Sequence, residues 1–206
     1  MDTKVYPGGG ISKYVSGQAY IKLRTYPESW YCNIGRVDDP NYLSFLGIAT
    51  AKSYLMFGDS VPTYLPPLDP AISAYFNVDQ STATSTDHSE DFGDGTGFAF
   101  GIALGVEAHL NAFVYADLVF KGGTDLLVVR KEGMQCGNSK YRASGRVYVY
   151  LAGGAGIKFR KKKFEVVGFS AAADLEGEIP KPIYIQGRVA FDYRLLGGLL
   201  TGNTRT

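Results

Sequence analysis

The stretch Phe98–Phe120, FAFGIALGVEAHLNAFVYADLVF, decides the fold class. Phe98, Phe100, Ile102, Leu104, Val106, Leu110, Val114, Leu118 and Phe120 share one parity; Ala99, Gly101, Ala103, Gly105, Glu107, Asn111, Tyr115 and Asp117 share the other. A period of two is the mark of a β-strand, because successive side chains leave it on opposite faces. The alternation returns over Arg146–Phe159, where Val147, Val149, Leu151, Ala155, Ile157 and Phe159 oppose Tyr148, Tyr150, Gly154, Gly156 and Lys158. The chain therefore reads as all-β: a long-stranded antiparallel curved sheet or a barrel-like fold, with a Pro-rich and acidic loop region. At ~3.3 Å per residue, Arg146–Phe159 would extend about 45 Å, so the strands are expected to bend, to bulge at Gly153 and Gly154, or to roll up.

Outward from that core, the reading is of one β-rich domain over 1–206, with shorter strands over 1–70, an irregular region over 71–97 and long antiparallel strands over 98–203. PGGG at Pro7–Gly10 blocks regular structure in the leading segment. Strands are expected at Gln18–Arg24 and Trp30–Val37, the second stopped by Asp38-Asp39-Pro40. Tyr42–Phe57 reads as two strands split near Thr50–Lys52. Pro62, Pro66, Pro67 and Pro70 forbid a central strand, and Pro70–Val78 has room for a helical turn. Gln80–Gly97 is polar, acidic and glycine-punctuated, and reads as an exposed loop. Beyond Gly97, a hairpin is expected to reverse near Ala108–Asn111, with a separate strand at Thr124–Arg130. Further strands follow at Arg146–Phe159, Phe164–Ile179 and, after Pro180-Lys181-Pro182, Ile183–Leu196 as the last. SGQAYIKL at Ser16–Leu23, SGRVYVYL at Ser144–Leu151 and QGRVAFDY at Gln186–Tyr193 share a Gly-x-φ-x-φ form.

A net charge of +1 with 20% charged residues leaves no electrostatic footprint for nucleic acid, which is excluded as a partner. Glycine at 26 of 206 residues, against a usual share of roughly 7%, together with 15 Tyr and 12 Phe, suits long twisted strands with tight turns. The leading residues lack the apolar core of a secretory signal, which reads as a cytoplasmic chain or a mature or excised piece. No window approaches the ~20 apolar residues of a membrane helix, so a membrane partner is open only to a β-barrel.

No residue set rises to a catalytic signature, and neither enzyme nor cofactor is expected. Asp87, Asp91 and Asp94, beside Glu90 and His88, are weak calcium candidates. An EF-hand frame starting at Asp87 fails because Phe92 stands where the turn glycine belongs and Phe98 where the bidentate Glu belongs. GDGTGF at Gly93–Phe98 and GGAGIK at Gly153–Lys158 miss the spacing of nucleotide-binding loops. Cys32 and Cys136 are the only cysteines; one long-range disulfide and two separate thiols are both open. His109 reads as a turn histidine. Glu165, Glu176 and Glu178 lie on strands from which they could pair across a cleft as acid and base. Arg160–Lys163 is a cation cluster that either contacts anionic lipid or polysaccharide or keeps a hairpin tip soluble.

Over about residues 34–203 the landmarks IGRVDDP (Ile34–Pro40), YLMFGDSVP (Tyr54–Pro62), GTGFAFGIALG (Gly95–Gly105), FVYADLVFKGGTDLLVV (Phe113–Val129), MQCGN (Met134–Asn138), GRVYVYLAGGAGIKF (Gly145–Phe159) and LLGGLLTGN (Leu195–Asn203) follow in order. This succession resembles a segment of very large, uncharacterised β-rich surface or secreted proteins of Bacteroidota-type bacteria. The resemblance implies a non-enzymatic piece of a larger cell-envelope or extracellular molecule and brings no site residues with it. Two functions are expected. One is a structural or interaction segment, its partner another protein or the remainder of a larger polypeptide, with the bulky parity buried and the Tyr/Lys/Glu parity exposed. The alternative is an outer-membrane-type β-barrel, pore or anchor, with small and polar residues lining the lumen. A hydrolase built on the sheet is a distant third.

Overall fold

The computed structural model describes residues 2–5, 14–27, 29–78, 95–130, 140–159, 162–180 and 183–206. The fold is all-β, a curved antiparallel sheet. Its strands are β1 (Asp2–Val5), β2 (Val15–Thr25), β3 (Trp30–Ile34), β4 (Asn41–Phe45), β5 (Ala49–Val61), β6 (Gly95–Asn111), β7 (Val114–Arg130), β8 (Arg142–Phe159), β9 (Lys162–Ile179), β10 (Tyr184–Leu195) and β11 (Leu200–Arg205), with one helix, α1 (Pro70–Phe76). From β5 onward each strand pairs with the next, a plain meander. β3 and β4 stand end to end in one strand position between β2 and β5. The six residues between them turn onto the concave face, where Val37 packs against the buried cluster of Tyr54, Met56, Val61, Ala99, Leu127 and Val129.

Each strand pair puts apolar residues opposite apolar ones. Phe57, Phe98 and Val128 share one row; so do Val106, Phe120, Leu151, Ala171 and Phe191. The expectation that this bulky parity is buried is overturned. Val147 is 57% exposed and Leu175 54%, whereas on the other parity Arg146 and Asp174 are each 5% exposed. The reason is curvature. The sheet bends so that its small and polar parity lies inside, where glycines and alanines on β6 let the segment after β5 cross the concave face.

The turns explain most of the boundary differences. β4 and β5 are joined at Leu46–Ile48 rather than near Thr50–Lys52. Leu46 and Gly47 both take positive φ, 56° and 66°, as a tight primed hairpin requires. The β6–β7 reversal falls at Ala112–Phe113, so His109 is a strand residue. Thr124–Arg130 is no separate strand: Gly122 and Gly123 continue the ladder against Val149 and Tyr148. The irregularity in β8–β9 sits between Ala155 and Gly156, two residues beyond the expected glycines, because β9 carries Val166 as an extra residue between Val167 and Glu165. β1 and β11 were not anticipated; their residues pair only because β2 and β10 offer free edges. Proline does exclude strand after Val61, and Pro70–Val78 does hold a helix, as expected from its residues.

The short connections Leu46–Ile48, Ala112–Phe113, 160–161 and Leu196–Leu199 all lie toward one end of the sheet, here the turn rim. The two longest, 62–94 and 131–141, lie at the opposite end.

Candidate functional site

The concave face is the candidate site. Its floor is the inward parity of β5–β10 and its cover is the strap of residues 62–78. α1 begins because Asp69 caps it, its carboxylate accepting from the Ala71 N–H at 2.9 Å, and because Pro70 suits the first helical position. It ends at Asn77 in the left-handed conformation. Seven residues do not hold a helix by propensity alone. Packing does it: Ile72 is fully buried, and the Tyr75 hydroxyl donates to the Ser170 carbonyl at 2.9 Å. Burial, and then a hydrogen bond to Asp192, raise the Tyr75 phenol above its ordinary pKa, so it stays a donor.

Beneath the strap lies a ladder of charge pairs. The Tyr54 hydroxyl donates to Asp125 at 2.8 Å, and Arg146 reaches the other Asp125 oxygen at 3.3 Å, Glu176 at 3.9 Å and the Pro66 carbonyl of the strap. One strand further, Arg188 grips Asp174 with two hydrogen bonds of 2.9 and 2.7 Å. Toward the loop end Arg142 meets Glu178 at 2.6 Å. The strap itself is held by Lys121 on Asp69 at 3.3 Å, by Arg142 over Tyr64, by Arg188 over Phe76 and by Arg205 over Tyr75. Paired, hydrogen-bonded charges are what a buried polar surface requires.

Tyrosine–glycine pairs set the spacing of this face. Tyr54 lies over Gly101, Tyr148 over Gly123 and Tyr115 over Gly156, each directly opposite its partner. The missing Cβ makes room for each ring. Gly101→Ala would drive a methyl group into the Tyr54 ring and displace its hydroxyl from Asp125. We expect a loss of about 1–3 kcal/mol. Gly187→Ala, whose new Cβ would meet Leu175 and the Asp174 carbonyl at 3.6 and 3.7 Å, should be neutral or stabilising; denaturant titration of both variants checks the pair.

Of the residues singled out from sequence, the weak calcium candidates Asp87, Asp91 and Asp94 lie outside the described residues, as do Glu90, His88, Cys136, Arg160 and Lys161. Cys32 is half-buried on β3 opposite Leu23 and Phe57. Among the described residues no group of three or more His, Cys, Asp or Glu side chains is placed to hold a metal. His109 pairs with Asp117 at 2.9 Å on exposed strand ends. The acid–base arrangement of Glu165, Glu176 and Glu178 is not formed, because these carboxylates face Arg194, Arg146 and Arg142 respectively. Gly153–Lys158 lies within β8 and forms no loop. Arg142, Arg146, Arg188, Asp125 and Asp174 were missed; their signal was a charge recurring on the small-residue parity of successive strands.

The opposite, convex face has its own chemistry. Along the registered pairs from β2 to β11, its rows hold no Asp, Glu, Lys or Arg except Arg130 and Lys162, each at the end of its strand; at the loop end Asp59, in the irregular stretch of β5, accepts from the Thr96 hydroxyl beside Arg130. The three Gly-x-φ-x-φ matches all place their glycine and apolar residues on it. Comparisons with protein-family models, with curated proteins and with solved structures each returned no match.

Proposed function

We propose that this chain forms the wall of a membrane-spanning β-barrel of the cell envelope, with the convex face in lipid and the strap filling a polar lumen. The observation that carries this reading is the uncharged apolar convex face. From Ala143 to Ile157 the outward row of β8 carries no charge. That is about 46 Å of strand, or about 33–38 Å of height at a barrel tilt of 35–45°. A bilayer presents a hydrocarbon core of about 30 Å. Across the strands the patch is on the order of 1,000 Å² by strand spacing, well beyond what a water-facing monomer exposes. Every backbone group in lipid must be paired, and the inward turn of the β3–β4 connection keeps that irregular backbone off the convex face. The edge strands β1 and β11 must then close on one another or on strands of a longer polypeptide.

The competing reading is an interaction segment whose apolar face another protein layer covers. It is favoured by those same two edges, which end the strand order and offer backbone to a neighbour. Purification without detergent, with size exclusion and circular dichroism, separates the two. The barrel reading expects aggregation relieved by micelles; a monodisperse β-rich species in plain buffer overturns it. Trp30, the only tryptophan, sits on a convex row opposite Thr25 near the loop end. In vesicles with brominated acyl chains its fluorescence is expected to be quenched, more by bromine near the headgroups than near the bilayer centre, since interfacial aromatics lie at that depth.

A further inference from the structure

We infer that the turn-rim end of the concave face binds a small soluble oxyanion, of the phosphate, sulfate or carboxylate kind, through Lys158, Lys163 and the hydroxyl of Tyr115. The inference does not depend on the membrane reading, because the concave face is the same whether lipid or another protein layer covers the convex one. Register sets the geometry. Lys158 and Lys163 are directly opposite one another across β8 and β9, and the next row on that face holds Tyr115, Gly156 and Glu165 side by side. Like charges facing across a ladder are unfavourable. Elsewhere on this face the cations are matched by carboxylates: Arg142 by Glu178, Arg146 by Asp125, Arg188 by Asp174 and Lys121 by Asp69. The carboxylates of the adjoining rows are committed too, Asp117 to His109 at 2.9 Å and Glu165 to Arg194 at 3.6 Å. The Oε1 atom of Glu165 lies over Gly168, turned along β9 away from Lys163. Among the described residues the two lysines are left with neutral partners: Lys158 donates to Asn111 at 3.0 Å, and Lys163 Nζ lies 4.8 Å from the centre of the Tyr115 ring.

Tyr115 gives an independent sign of a missing partner. It is only 6% exposed, yet among the described residues its hydroxyl has no hydrogen-bond partner. Buried polar groups are paired as a rule, so this hydroxyl marks a place where an acceptor belongs. It is held over Gly156, whose missing Cβ makes room for it, on the strand face that carries Lys158 two residues on. Two ammonium groups and a phenol thus gather here as donors. An anion with several oxygens accepts from all three through charge-assisted hydrogen bonds; a metal cation or an apolar ligand accepts from none. Lysines that only keep a hairpin tip soluble reach into water. Lys162, on the other face of β9 opposite Phe159, fits that description. Lys158 is half-buried and Lys163 is laid on an aromatic ring. Because the site faces the concave side, its ligand arrives as a solute and not as a lipid headgroup.

The test is calorimetric titration of the full chain with sodium phosphate, against sodium chloride of equal ionic strength, in plain buffer or in phosphatidylcholine vesicles, whichever holds the chain folded. Phosphate is expected to bind saturably at one site and, at about ten times its dissociation constant, to raise the folding equilibrium constant about 11-fold; chloride should do neither. Tyr115→Phe keeps the ring over Gly156 and removes the donor, and should weaken phosphate binding roughly 10-fold. The double variant Lys158→Gln, Lys163→Gln should abolish binding, while Lys162→Gln should bind as the wild type does. No saturable phosphate binding by the wild type, unchanged binding by Tyr115→Phe, or as large a loss in Lys162→Gln as in the double variant overturns the inference. Since the titration runs in either medium, those results leave the membrane reading standing; solubility without lipid or detergent overturns that reading and leaves the oxyanion site to be judged by the same titration.

Discussion

Val149→Lys is expected to remove about 2–4 kcal/mol of folding free energy in a bilayer, the cost of a lysine at the midplane of a β-barrel's lipid face. Val149 is midway along β8 on the convex side, opposite Gly122 and Ala173, and among the large exposed apolar residues. If the convex face lies in lipid as proposed, a lysine there cannot reach either headgroup layer without straining its four-carbon stem past several rows of apolar neighbours. Phe159→Lys, at the turn rim beside Lys162, should cost only ~0–1 kcal/mol after allowing for the lost ring. Depth dependence is thus the signature. On a face bathed in water both substitutions would be nearly neutral, within about 0.5 kcal/mol. Urea titration of each variant in phosphatidylcholine vesicles, followed by Trp30 emission, measures the difference; equal effects at the two depths would count against lipid contact.

Arg146→Ala should be the most damaging change on the concave face, at about 3–5 kcal/mol. The guanidinium is nearly fully buried and serves Asp125, Glu176 and the strap carbonyl of Pro66 together. Removing it leaves the Asp125 carboxylate with only the Tyr54 hydroxyl, in a site the strap shields from water. The strap also loses its central attachment, so protease cleavage within 62–78 should accelerate alongside the loss of stability. Arg194→Ala is the matched control. Arg194 stands 3.6 Å from Glu165 but is largely exposed, and such pairs contribute less than about 1 kcal/mol. If both arginines cost the same small amount in guanidinium unfolding, the concave face is open to water and the strap does not seal it.

The strand class was legible because alternation is a local property. Phe98–Phe120 states two faces without reference to anything distant, and β6 and β7 carry those two faces throughout. Turn positions were less legible, since Leu46-Gly47 and Ala112-Phe113 lack the Asn-Gly or Asp-Gly that announces a tight hairpin; the first reverses through a leucine at positive φ that no propensity favours. β1 and β11 were hidden because a short strand at a sheet edge is defined by what it pairs with. The charge ladder escaped for a related reason. Asp125, Arg146 and Glu176 are far apart in sequence, and only the register of β7, β8 and β9 brings them into line.

What the amino-acid sequence determined by itself was the existence of two chemically distinct faces, the meander of long strands, the proline-bound strap and its single helical turn. Period, proline geometry and capping act over a few residues and need no fold to be read. Which face turns inward was decided only by tertiary structure. A strand of alternating bulky and small residues is equally compatible with either curvature until the sheet closes around something. Here the small parity of β6, the tyrosines that fill its glycine gaps and the strap crossing above them settle the matter. They leave the phenylalanines, valines and leucines facing out.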